Sequence, residues 1–105
     1  MDLTEMIYKE TSEFPPDEKY GLTNQIRRAS SSIPSNIAEG SGRQSEKEFK
    51  YFLSISLGSC YEVSTQLELA KRLSLIKEEE SNPIFHELDQ VEKLINTCIN
   101  TIKAC

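Results

Sequence analysis

Chemistry in a protein needs reactive groups that converge, and this sequence offers few of them. His86 is its one histidine. A catalytic histidine needs a nucleophile and an orienting acid, and a metal site needs further His, Cys or carboxylate ligands. The local sequence Phe85-His86-Glu87 supplies neither, and no H-x-x-x-H, E-x-x-H or G-x-S-x-G pattern occurs in the chain. The apolar repeat around it uses positions 84, 88 and 91, which leaves His86 on the solvent side of a helix. Glu62 is a carboxylate inside an otherwise apolar stripe, between Ile55 and Leu69. One glutamate is no metal site, so the expected role is pairing with an arginine across a helix interface. Glu39-Gly40-Ser41-Gly42-Arg43 has a superficial likeness to a phosphate loop but lacks the G-x-x-x-x-G-K-[ST] spacing and a preceding strand. A helix start beside Arg43 and Lys47 would suit a single phosphate, whereas a plain helix–helix turn is the simpler reading. No enzymatic activity, metal or cofactor is expected.

Charge is the second source of function. The chain carries 12 Lys and Arg against 17 Asp and Glu, a formal net charge of −5. That balance excludes a uniformly cationic coat for nucleic acid. Resolved along the chain, the stretch from Lys19 to Lys50 is +3 and the remainder −8. A local basic patch built from Arg27, Arg28, Arg43 and Lys47 is therefore the candidate contact for RNA or DNA. Arg27 and Arg28 are adjacent and point about 100° apart on a helix, so only one faces a given groove. The competing reading pairs these cations with Glu39, Glu62 or the acids of a neighbouring subunit.

The elements that must position these residues are helical. Leu3, Met6 and Ile7 mark a short first helix ended by Phe14-Pro15-Pro16. A second opens near Pro16-Asp17-Glu18 and carries Leu22, Ile26, Ala29, Ile33 and Ile37, with Pro34 predicting a kink near Ser30–Ile33. Gly40-Ser41-Gly42 closes it, and Ser45 with Glu48 forms a capping box for a third helix over about Glu46–Leu73. That helix bears one stripe of Phe49, Phe52, Leu53, Ser56, Cys60, Val63, Leu67 and Ala70. A second, offset stripe holds Tyr51, Ile55, Gly58, Glu62, Leu69, Leu73 and Ile76. Asn82 as N-cap with Pro83 at the first position predicts a fourth helix repeating Ile84, Leu88, Val91, Ile95, Cys98 and Ile102. The 105 residues thus read as a single all-α domain over 1–105, an antiparallel up-and-down four-helix bundle with a proline-kinked second helix.

The first helix, at about 18 Å, cannot cover a third helix of about 42 Å. With two apolar stripes on the third helix, apolar surface is left over, and a homo-oligomer is expected. Cys60, Cys98 and Cys105 show no C-x-x-C spacing and read as two small core residues and a terminal thiol. The start Met1-Asp2-Leu3 has no signal-peptide character and no apolar run suits a membrane span, so a cytoplasmic location is expected.

The segment Gln25-Ile26-Arg27-Arg28-Ala29, Ser32-Ile33-Pro34-Ser35-Asn36-Ile37-Ala38-Glu39-Gly40, Gly42-Arg43, with Phe49, Phe52-Leu53, Gly58-Ser59, Glu62, Gln66-Leu67 and Ala70, is distinctive. It closely resembles the bacterial four-helix bundle family named after a protein encoded in 23S ribosomal RNA intervening sequences, also labelled S23 ribosomal protein. The resemblance spans nearly the whole chain. It implies an up-and-down bundle assembled into a ring, typically a homopentamer, of no known enzymatic activity and unestablished cellular role. The family is similar in turn to the accessory protein of diversity-generating retroelements, a basic pentamer that binds nucleic acid and a reverse transcriptase. This chain departs from that relative in its acidic charge and in a first helix that opens directly at Met1-Asp2-Leu3. Gly58-Ser59 reads as a notch for a close helix approach, and Asn36, Glu39 and Glu62, with Arg27 and Arg43, as a structural polar cluster at such a crossing. The leading expectation is an oligomeric scaffold or adaptor with an unknown protein partner and an RNA-associated surface. The alternative is a nucleic-acid-binding accessory protein.

Overall fold

In a computed structural model that describes residues 2–16 and 21–102, helical periodicity becomes four helices, with no strand among the described residues. They are α1 (Asp2–Thr11), α2 (Leu22–Ser41), α3 (Glu46–Arg72) and α4 (Glu78–Thr101). α1 lies beside α2 and α4, and α3 lies beside the same two. Cross-links fix the directions. Ser32 meets Ser59, Ser56 Oγ donates to the Ile33 carbonyl and Gly40 abuts Phe49 and Phe52, so α2 and α3 run antiparallel. The core is Leu3 and Ile7 of α1, Leu22, Ile26 and Ile33 of α2, Leu53, Cys60, Val63 and Leu67 of α3, and Ile84, Leu88 and Ile95 of α4.

Local chemistry explains most boundaries. Gly21 caps α2 with φ 61, the left-handed region that glycine enters without a Cβ clash. The expected opening at Pro16-Asp17-Glu18 falls largely on residues 17–20, outside the described residues; the helix itself begins at Leu22. Ser45 caps α3 by accepting from the Glu48 N–H at 3.1 Å, while its hydroxyl donates to Glu48 Oε1 at 3.3 Å. α3 ends in a Schellman motif, in which the Leu75 N–H reaches the Ala70 carbonyl and the Ser74 N–H the Lys71 carbonyl. Ser74 holds the left-handed position at φ 61 that glycine usually fills.

Three expectations need correction. α4 does not start at Asn82-Pro83 but at Glu78, with Lys77 as N-cap donating its backbone N–H to Glu80 Oε1 at 3.2 Å. Three acids in that first turn complement the helix dipole, and burial of Ile76 and Ser81 fixes the chain's entry. Pro83 is then inside the helix on an exposed face. Cys98 is exposed, so of the two cysteines expected in the core only Cys60 is there. Of the expected Gly58-Ser59 notch only Ser59 meets another helix, at 2.8 Å from Ser32 of α2, while a Cβ at Gly58 would meet nothing within 4 Å. The tight crossing is at Gly40, where a Cβ would stand 2.8 Å from Phe52 Cβ and 3.0 Å from Phe49 Cδ1.

Candidate functional surface

Pro34 decides how the short α1 is held. It has no N–H, so the Ser30 carbonyl loses its intrahelical donor. Thr4 Oγ1 of α1 donates to that carbonyl at 3.2 Å. Arg27 makes the second attachment. Its Nε donates to Thr11 Oγ1 at 2.7 Å, its Nη2 to the Tyr8 carbonyl at 3.3 Å, and its guanidinium lies 4.7 Å from the Tyr8 ring centroid. A cation over the last carbonyls of α1 also complements that helix's dipole. Arg27 is thereby a structural staple.

The other candidate cations divide. Arg43 donates to Glu39 Oε2 at 2.7 Å, approaches Glu48 at 3.8 Å and stacks 4.9 Å from the Phe52 centroid, tying the α2–α3 turn. Both pairs are well exposed, so each contributes no more than about 1 kcal/mol. Arg28 and Lys47 are exposed and form no ion pair with any described residue. Of the polar cluster, the structure brings Glu39 to Arg43 and sets the others elsewhere. Asn36 Nδ2 donates to the Ser32 carbonyl and Oγ, both at 2.9 Å. Glu62 stands apart, exposed and without an ion pair among the described residues. His86 is exposed and 3.0 Å from Gln90 Nε2.

Glu62 does share a groove of ≈320 Å³ between α2 and α3 with Gln25, Arg28, Ala29, Ser32 and Gln66. Gln66, part of the distinctive motif, was given no role by sequence reasoning. Its Oε1 is shielded from solvent and has no hydrogen-bond partner. Such an orphan costs about 1–3 kcal/mol. Its spacing from Glu62 and Leu69 places it on the edge of the offset stripe.

That stripe stays open only in part, since Ile76 is buried in the core and Ile55 is half-buried. Tyr51 is 63% exposed, Leu69 41% and Leu73 39%, with Tyr61 at 53% beside them. α3 therefore has one face in the core and an outward face on which Tyr51 at one end and Leu69 with Leu73 at the other stay exposed, with Gly58, Glu62 and Gln66 between them. Elsewhere, burial pushes the Glu10 carboxyl up, assisted by Glu80 and Glu13, and burial then Asp89 raise Glu92. Among the described residues no group of three or more His, Cys, Asp or Glu could hold a metal, and no helix is long and apolar enough to cross a membrane.

A family model described as 23S rRNA-intervening sequence protein matches residues 1–97. Among solved structures, the chain is similar to a crystal structure of a protein with unknown function from the S23 ribosomal protein family of Bacteroides thetaiotaomicron VPI-5482. The two share 28% identity and a TM-score of 0.84, covering 95% of this chain and 94% of that one. No curated protein matches.

Proposed function

The chain belongs to the 23S rRNA-intervening sequence protein family, and from that premise we propose that it is a non-catalytic scaffold working as a homo-oligomer in the cytoplasm. The observation that carries this reading is the outward row on α3, where Tyr51, Leu69 and Leu73 stay exposed after the monomer folds. Large exposed apolar rows mark partner surfaces, and a second copy is the simplest partner. The ring of five that the resemblance implies is the expected assembly. Free Cys60 and Cys98 suit a reducing compartment. The test is substitution on that row. Leu69→Glu with Leu73→Glu should release 12.0 kDa monomers while helix content by circular dichroism is kept. Assembly unchanged by both substitutions contradicts the reading.

A nucleic-acid role is the second reading, favoured by Arg28 and Lys47 remaining without ion-pair partners among the described residues. Binding of a structured RNA at low salt, weakened by added salt and by Arg28→Ala with Lys47→Ala, is its expected signature. No binding at low salt removes it.

A further inference from the structure

We propose that copies of this chain meet head to tail through two unlike faces, the α1–α4 side of one protomer against the α2–α3 side of the next, with Leu94 seated in the hollow at Gly58. The inference rests on the self-association reading and names both surfaces of its contact. α1 and α4 are neighbours on one side of the bundle, and α2 and α3 are neighbours on the other. Charge divides between those sides. α1 and α4 hold nine acidic and two basic side chains, whereas α2 and α3 hold five acidic and six basic. Leu94 is 68% exposed, the most of any large hydrophobic residue described. Phe85 faces α3 through Lys71, and Leu94, nine residues on and half a turn round the helix, points away from α3. On α3, the ≈440 Å³ hollow lined by Gly58, Tyr61 and Leu69 lies open, and a Cβ at Gly58 would meet nothing within 4 Å.

Heights along the bundle match as well. Lys71 reaches both Glu78 and Phe85, so the antiparallel α3 and α4 set Leu94 within a turn of the level of Gly58. Thr4 meets Ser30, so Glu5 of α1 stands within a turn of the level of Arg28 on α2. Rotation about an axis along the bundle preserves height and brings Leu94 to Gly58, and Glu5 to Arg28, of the next copy. Glu5 and Arg28 are exposed, and neither forms an ion pair with any described residue. Charge also selects the polarity of the contact. Two α1–α4 faces brought together would set acid against acid, whereas unlike faces attract. A contact between unlike faces leaves one of each free on every pair, so it propagates and can close into a ring.

The experiment mixes two variants, each broken on one face. Gly58→Glu fills the hollow and Leu94→Glu removes the knob, both at exposed helical positions where glutamate is well tolerated. Circular dichroism establishes that each keeps its helices. Sedimentation equilibrium should then give 12.0 kDa for either variant alone. In an equal mixture, the intact hollow of the Leu94→Glu chain takes the intact Leu94 of the Gly58→Glu chain, and a 1:1 species of twice that mass should appear. A variant that dimerises by itself reveals a contact between like faces and overturns the proposal. Variants that assemble like the wild type, or that stay monomeric when mixed, overturn it and leave the scaffold reading standing. A monomeric wild type overturns the scaffold reading and this contact with it.

Discussion

Gly40 and Ser74 show how single backbone positions govern this bundle. Gly40 lets α2 meet the two phenylalanines at the start of α3, where a Cβ would be 2.8 Å from Phe52 Cβ. Gly40→Ala should therefore destabilise the fold by about 1–3 kcal/mol, measured by denaturant unfolding. Ser74 has the opposite character, since its φ of 61 suits glycine better than serine. Ser74→Gly should stabilise by about 0.5–1 kcal/mol in the same assay. Cys60 gives a pH signature. Burial first, and Glu92 second, push its thiol from 9.0 up to about 12. The unfolded thiol then loses its proton before the folded one, so this contribution is intact below pH 9.0 and erodes as pH rises toward 12. The expected slope is roughly 1.4 kcal/mol per pH unit within that window, and Cys60→Ala should flatten it. The burial of Cys60 was legible from its place in the apolar stripe, whereas the close approach at Gly40 and the left-handed Ser74 were not.

At the scale of elements, sequence was most legible where the determinant is local. Ser45 and Glu48 announced the start of α3, and the 3.6-residue repeat announced all four helices. It misled at α4, where Asn82-Pro83 looked like a start but Lys77, Glu80 and the burial of Ile76 decide the entry. Proline was expected to kink α2. Its further consequence, a freed Ser30 carbonyl taken by Thr4, depends on a helix 26 residues away and could not be read from the motif. Arg27 is the same case, since its partners Tyr8 and Thr11 lie on α1. The basic patch read from composition is thus partly structural mortar. Arg27→Ala should lower stability by about 1–3 kcal/mol and expose α1 first to hydrogen exchange, with α3 amides little changed. Equal loss of protection in α1 and α3 would contradict the staple assigned to Arg27.

For the whole molecule, the length mismatch between α1 and α3, 10 residues against 27, leaves a bundle with one helix facing two ways. The mismatch was legible because helix length follows from residue count. That Arg28 shares a groove with Glu62 and Gln66 was not, because Arg28 lies on α2 and the other two on α3. The most direct measurement of self-association is sedimentation equilibrium of the wild-type chain across a micromolar concentration series. A mass at an integer multiple of 12.0 kDa, held as the protein is diluted, is the predicted result; a 12.0 kDa species throughout contradicts the scaffold reading.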